Sequence, residues 1–303
     1  MISNLKNTIV RDICGMTVAL AAVLLVRPCP AANELYETLI SKGTELAPQE
    51  TIKLPKPTLE DGLDEAAQHQ AIETLLAGRY DWETFTRKAV VSPFLLKISD
   101  DNRDAGQIAR RVDLYFVTFG SLSTLAGENY LQEQLNLAAA GEQGSGNGHV
   151  RILSADDLGK RNMPTSQRPR DPRWVAVEST LLGKVLINLT TQNVKTETRD
   201  SVVIASLADP RFLDDAEYPN RWRSLTTDDA GRRQVGPPQP YGGLASYAKV
   251  TRLVEPAGAL FVEYHIAFAE PQGWFHGANL LRSKLPIVSQ DMVRRFRRNT
   301  NDR

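Results

Sequence analysis

The 303-residue chain is poor in the side chains that most often announce a function. Its two cysteines, Cys14 and Cys29, both lie near the N-terminus, so the rest of the chain has no thiol for a disulfide, a nucleophile or a zinc–sulfur site. Its four histidines are His69, His149, His265 and His276, and no two have the i,i+4 spacing of a helical zinc pair. Lys and Arg balance Asp and Glu, 36 against 36, for a net charge of +0, which argues against a general nucleic-acid binder. Phosphate-binding glycine loops and dinucleotide fingerprints are missing, and "GSG" at 144–146 lacks the flanking residues of a nucleophile elbow. Asp100, Asn102 and Asp104 hold the first, third and fifth positions of a calcium loop, but Ala105 replaces the required Gly and Val112 the closing Glu. A polar turn is the expectation there, with no metal and no cofactor.

Long apolar runs are also missing. The longest, Ile13 to Val26, has 14 residues, fewer than the roughly 20 a bilayer span needs. Lys6 and Arg11 precede it, and the small residues Ala31 and Ala32 follow. That order is the order of a secretory signal over residues 1–31 and predicts export to a periplasmic or extracellular space. A retained anchor is the alternative, and Arg27 directly after the run keeps it open. A mature chain of about 270 residues without disulfides must rely on its core, and that length suffices. Charge is unevenly placed within it. Residues 33–85 carry eleven acids and four bases, net −7, whereas residues 282–303 carry seven bases and two acids, net +5. Either these are solvated faces, or the acidic front docks on the basic tail, or the tail meets an anionic surface.

Periodicity divides the chain into a helical N-terminal segment, 33–92, and an α+β domain, 94–303. Helices are expected at 34–46, at 60–77 and from Trp82, where Asp81 can cap, with "KLPKP" at 53–57 as a linker. Strands are expected at 94–98, 108–119, 173–182, 184–196, 201–207, 244–254 and 259–268, with a helix at 128–140, a flexible loop at 141–148 and a long loop at 208–243. A closing helix over 284–298 carries the stripe Leu285, Val288, Met292 and Phe296, with Pro286 in its first turn. The fold class is therefore α+β: a curved antiparallel sheet packed on a long C-terminal helix, with an N-terminal helical segment.

The last hairpin turns through "EPAG". If Glu255 faces Gly258, Arg252 lies opposite Phe261 and diagonal to Glu263. Glu263 and His265, two apart on one strand, face the same way, so the carboxylate can orient the imidazole. A solvent-facing, salt-bridged strand surface is the simpler reading. With His276, the same two residues form the constellation a hydrolase-like enzyme would use.

The final strand ends in Glu270-Pro271-Gln272-Gly273-Trp274 before the terminal helix. This turn resembles the last third of the START-like lipid-binding superfamily, the helix-grip fold, over residues 244–298. Gln272 departs from the family's second small position, and His276 stands near where the family often has Pro. The resemblance implies a sheet curling around the closing helix with an apolar ligand between them, and leaves residues 33–92 outside. The expected function is a non-catalytic binding protein for a small apolar or lipid-like ligand, or a protein serving an envelope partner. The residues expected at the ligand are Trp274, Phe275, His265, Glu263 and Arg252, with the basic C-terminal helix free to meet an anionic surface.

Overall fold

The computed structural model of the chain describes residues 33–47, 50–103, 107–127, 149–165, 168, 171–275 and 280–301. The signal expected at 1–31, the helix expected at 128–140, the loop expected at 141–148 and His276 lie outside the described residues.

The N-terminal segment holds α1 (Glu34–Ser41), the short ribbon β1 (Thr44–Ala47) and β2 (Glu50–Ile52), α2 (Glu65–Leu76) and α3 (Trp82–Thr86). Each helix starts where a short polar side chain accepts a first-turn N–H: Asn33 from Tyr36, Asp64 from Ala67 and Asp81 from Thr84. The expected 34–46 helix stops early because Gly43, at φ 82°, breaks it and the chain turns into β1.

A large antiparallel sheet follows. β3 (Phe94–Arg103) and β4 (Gln107–Phe119) form a hairpin, and α4 (Leu122–Leu125) leaves the sheet. The chain re-enters at the far side with β5 (His149–Ile152), α5 (Ala155–Gly159) and β6 (Arg173–Leu181). It then returns through β7 (Val185–Glu197), β8 (Ser201–Ala208), β12 (Leu244–Arg252) and β13 (Ala259–Pro271). The last strand pairs with β4 along its whole length, from Ala259 opposite Phe119 to Pro271 opposite Gln107. Helix α6 (Leu280–Asn301) ends the described chain.

Three expectations change. Residues 208–243 are not one loop: they contain a short 3-10 turn at Pro210–Phe212 and the strands β9 (Arg221–Thr227), β10 (Arg233–Val235) and β11 (Gln239–Pro240). Polar and charged residues on the open side of β9 hide its alternation. The closing helix begins at Leu280, so Pro286 is in its interior rather than its first turn. Proline there supplies no N–H to the Arg282 carbonyl, but the site is exposed and water can replace the donor. Finally, "KLPKP" is not a free linker: Leu54 and Leu59 are buried, and Tyr247 donates its hydroxyl to the Pro55 carbonyl at 2.8 Å.

Alternation along β13 organises the core. Leu260, Val262, Tyr264, Ile266 and Phe268 face α6, where Leu281, Val293 and Phe296 pack; this is the inner face. Phe261 and Ala267 point to the outer face, under Leu59, Ile72, Leu76 and Phe85 at one end and Tyr36, Leu39 and Leu54 at the other. The acidic front segment thus lies on the sheet, where Asp61 pairs with Lys249 of β12 and Glu73 with His69 of its own helix. The acid that reaches α6 comes from β3: Asp100 pairs with Arg282 at 3.0 Å.

Asp100 also belongs to a buried knot. Arg110, 1% exposed, donates from Nε and Nη2 to Glu270 Oε2 at 2.9 and 2.6 Å, and from Nη1 to Asp100 at 2.7 Å. Removing one member strands a buried charge, whereas replacing the pair with apolar side chains of matched volume is often nearly neutral. Arg110→Ala should therefore lower unfolding free energy by about 3–5 kcal/mol, and Arg110→Met with Glu270→Leu should recover most of it. Denaturant titration checks this, and equal losses in the single and double variants would contradict it.

Candidate functional site

The residues expected at a ligand do not converge. Trp274 and Phe275 close one end of the inner face, Glu263 and His265 are on the outer face, and Arg252 is an exposed strand-end residue whose carbonyl accepts Gln68 Nε2 at 3.2 Å. The separation follows from register. Leu253 N–H bonds to the Ala259 carbonyl, so the hairpin loop spans 254–258, one residue more than "EPAG". Arg252 then faces Leu260, and Lys249 becomes the cation opposite Glu263.

On the outer face, the row through Glu263 runs Leu95, Tyr115, Glu263, Lys249, and the row through His265 runs Lys97, Asp113, His265, Tyr247. This surface does not face solvent. Glu263 and His265 are 0% exposed, Asp113 3% and Lys249 5%. His265 Nδ1 is 2.8 Å from Asp113 Oδ1, and Arg111 Nε donates to Asp113 Oδ2 at 3.1 Å. His265 Nε2 lies 3.6 Å from Glu263 Oε2, an ion-pair distance beyond hydrogen bonding, so Glu263 acts on the ring through its charge. Residues 54–61 form a strap over the cluster. Thr58 N–H donates to Glu263 Oε2 at 2.8 Å, while Lys249 Nζ donates to the Leu59 carbonyl at 2.7 Å and pairs with Asp61 at 3.0 Å. Asp61 in turn accepts from Thr198 and Ser201 hydroxyls at 2.6 and 3.0 Å.

Burial is the strongest single influence on His265 and favours the neutral ring, but Asp113 and Glu263 together outweigh it and raise its pKa above the usual 6.5. Three carboxylates (Asp61, Asp113 and Glu263) thus lie with two cations, Lys249 and Arg111, and with His265, which is a third when protonated. Burial likewise pushes the Tyr36, Tyr115 and Tyr247 hydroxyls up, keeping them neutral. The arrangement is a lock between strap and sheet, with His265 and Glu263 both fully buried. Among the described residues no group of three or more His, Cys, Asp and Glu side chains is placed to hold a metal.

The inner face is different. Helix α6 lies over β3 and β4, and α4 over β8 and β12. Leu96, Ile98, Tyr264, Ile266, Leu285 and Met292 between them are only half-buried. Across this apolar surface runs a polar row, Ser246, Ser206 and Asn193, continuing from Ile266. Ser206 Oγ donates to Asn193 Oδ1 at 2.5 Å and Asn193 Nδ2 to Thr191 Oγ1 at 2.8 Å. The far end is plugged by Trp274, 3% exposed, its ring 5.2 Å from Tyr241, 6.4 Å from Trp222 and 6.5 Å from Phe268. Gly273 permits this, since a Cβ there would sit 2.9 Å from the Trp222 ring. Trp222 and Tyr241 were invisible as site residues because both fall in the segment read as loop; the alternating Arg-Trp-Arg of β9 was the available signal.

No family model matches the chain, and no curated protein matches it. Solved structures similar to it include the human StarD13 (DLC2) lipid transfer and protein localization domain, at 6% identity and TM-score 0.37, covering 75% of this chain and 94% of that one. Human STARD10 is similar at 9% identity and TM-score 0.30, covering 78% of this chain and 84% of the other. The likeness is weak and covers about three quarters of this chain. At these TM-scores it carries no argument about what the chain binds.

Because the folded-state pKa of His265 is raised, the stability it contributes is fully present below the ordinary value of 6.5 and is lost as pH rises through the folded-state value. Denaturant melts across neutral to alkaline pH should show the stability advantage of the unmodified protein over His265→Gln shrinking as pH rises. A difference that does not change with pH would contradict an ionised His265.

Proposed function

We propose that the protein is a non-catalytic binder of a small apolar or lipid-like molecule held between the inner face of the sheet and α6. One observation carries this reading: six half-buried, mostly apolar side chains on β3, β13 and α6 lie on the inner face beside a polar row on β12, β8 and β7. Apolar surface left half-covered in this way gains from a ligand that covers it, at about 25 cal/mol per Å² removed from water, and the hydroxyls and amide can orient a polar end.

The two halves of α6 are held unequally. Val293, Phe296, Arg297 and Thr300 are buried in the second half, while in the first Leu281 and Ser289 are buried but Ser283, Lys284, Pro286 and Ile287 are exposed. Arg282–Asp100 ties the first half at the surface, where an ion pair contributes little. The first half is therefore the part that moves to admit a ligand. The proposal includes the secretory signal at 1–31, which would place the mature protein in a periplasmic or extracellular space, and an anionic surface as a partner for the outward bases of α6. The sealed His265 and Glu263 favour binding over the hydrolase-like alternative.

Native mass spectrometry of protein from its own host should show the chain with an added apolar molecule, and Ile266→Asp should fold but appear without it. Bare chain alone, under ionisation conditions that keep lipid on a known lipid carrier, would contradict the reading.

A further inference from the structure

A second surface, outside the sheet–helix space, lies where residues 90–94 meet the C-terminal half of α6. Arg297 is 2% exposed there. Its Nε donates to the Val117 carbonyl at 2.9 Å, Nη1 to the carbonyls of Val90, at 3.2 Å, and Ser92, and Nη2 to the Pro93 carbonyl at 2.9 Å. All four acceptors are neutral. A guanidinium has five N–H donors, so one on Nη2 remains. Burial pushes the Arg297 pKa down to about 10, and among the described residues no carboxylate pairs with it.

Beside it is a groove of about 220 Å³ whose lining includes Tyr80, Ser92, Gln290, Arg294 and Arg297 and no acidic residue. Arg294 and Gln290 make no hydrogen bond or ion pair among the described residues, so their donors are open to the groove. The rim is apolar and exposed: Val91 is 67% exposed, Tyr80 38%, and Ile287, on the same helical stripe as Gln290 and Arg294, 50%. The one acid on that stripe, Asp291, is exposed and does not line the groove.

We infer that this groove binds a phosphate group, held by the Arg294 fork and the Gln290 amide over the buried Arg297 charge. A tetrahedral oxyanion offers enough acceptors for these donors, and a charge-assisted bond to a planar guanidinium is the strongest contact available to it. The phosphate can be free or can head an amphiphile whose apolar part rests on Val91, Tyr80 and Ile287. The inference does not depend on a ligand on the inner face.

Calorimetric titration of the full protein with inorganic phosphate and, separately, with dihexanoyl phosphatidate below its micelle concentration tests this. Both probes should bind saturably, and Arg294→Gln, a half-exposed change whose thermal melt should match the unmodified protein, should weaken both about tenfold or more. Equal affinity for the two probes identifies free phosphate. Tighter phosphatidate binding that Val91→Ser reduces to the level of inorganic phosphate identifies a lipid headgroup. No saturable binding of either probe, or binding that Arg294→Gln leaves unchanged, overturns the site.

Discussion

Everything in this molecule depends on β13 being buried on both faces. A strand alternates its side chains, so a final strand in mid-sheet, flanked by β12 and β4, needs cover above and below. Helix α6 covers one face and the N-terminal segment the other. The inner cover meets Leu260, Val262, Tyr264, Ile266 and Phe268, and packs by shape and apolar area. The outer cover meets Glu263 and His265 as well as Phe261 and Ala267, and must satisfy charge.

That difference separates the two covers in function. Buried charges are costly unless paired, so the strap can lie over Glu263 only while Thr58, Lys249, Asp61 and Asp113 hold their places. Such a contact is specific and hard to open part-way. The inner cover has fewer directional bonds, an exposed first half with a proline inside it, and half-buried apolar residues beneath. Its opening costs mainly apolar contact, which a ligand can restore. The cover with fewer directional bonds is thus on the side proposed to bind.

Much of the fold was legible in the sequence because periodicity and caps are local. The meander, the final hairpin, both faces of β13, and Asp81 as a cap followed from alternation and turn chemistry. What failed was non-local. A hairpin loop one residue longer than "EPAG" moves Lys249 opposite Glu263 and sends Arg252 to the strand end, and no local signal distinguishes the two registers. The strap could not be read either, since "KLPKP" has the composition of a linker, while the strap is held largely by Tyr247, Lys249 and Glu263, about 200 residues later. Glu263 and His265 share one face of β13 as alternation requires, yet their burial is a property of the segment lying on them. Trp274 was legible as an inward aromatic, but its partners Trp222 and Tyr241 lay in a stretch too polar to signal strand.

Amide hydrogen exchange on the two covers tests the division of labour most directly. The Thr58 amide, bonded to a buried carboxylate, should exchange only as slowly as global unfolding allows, while the amides of residues 284–291 in α6 should exchange faster, through partial opening of the first half of the helix. A strap that exchanges faster than this helical segment would contradict the account: Glu263 and His265 would then be the groups that meet solvent in the native protein, and the outer face would be the place to look for function.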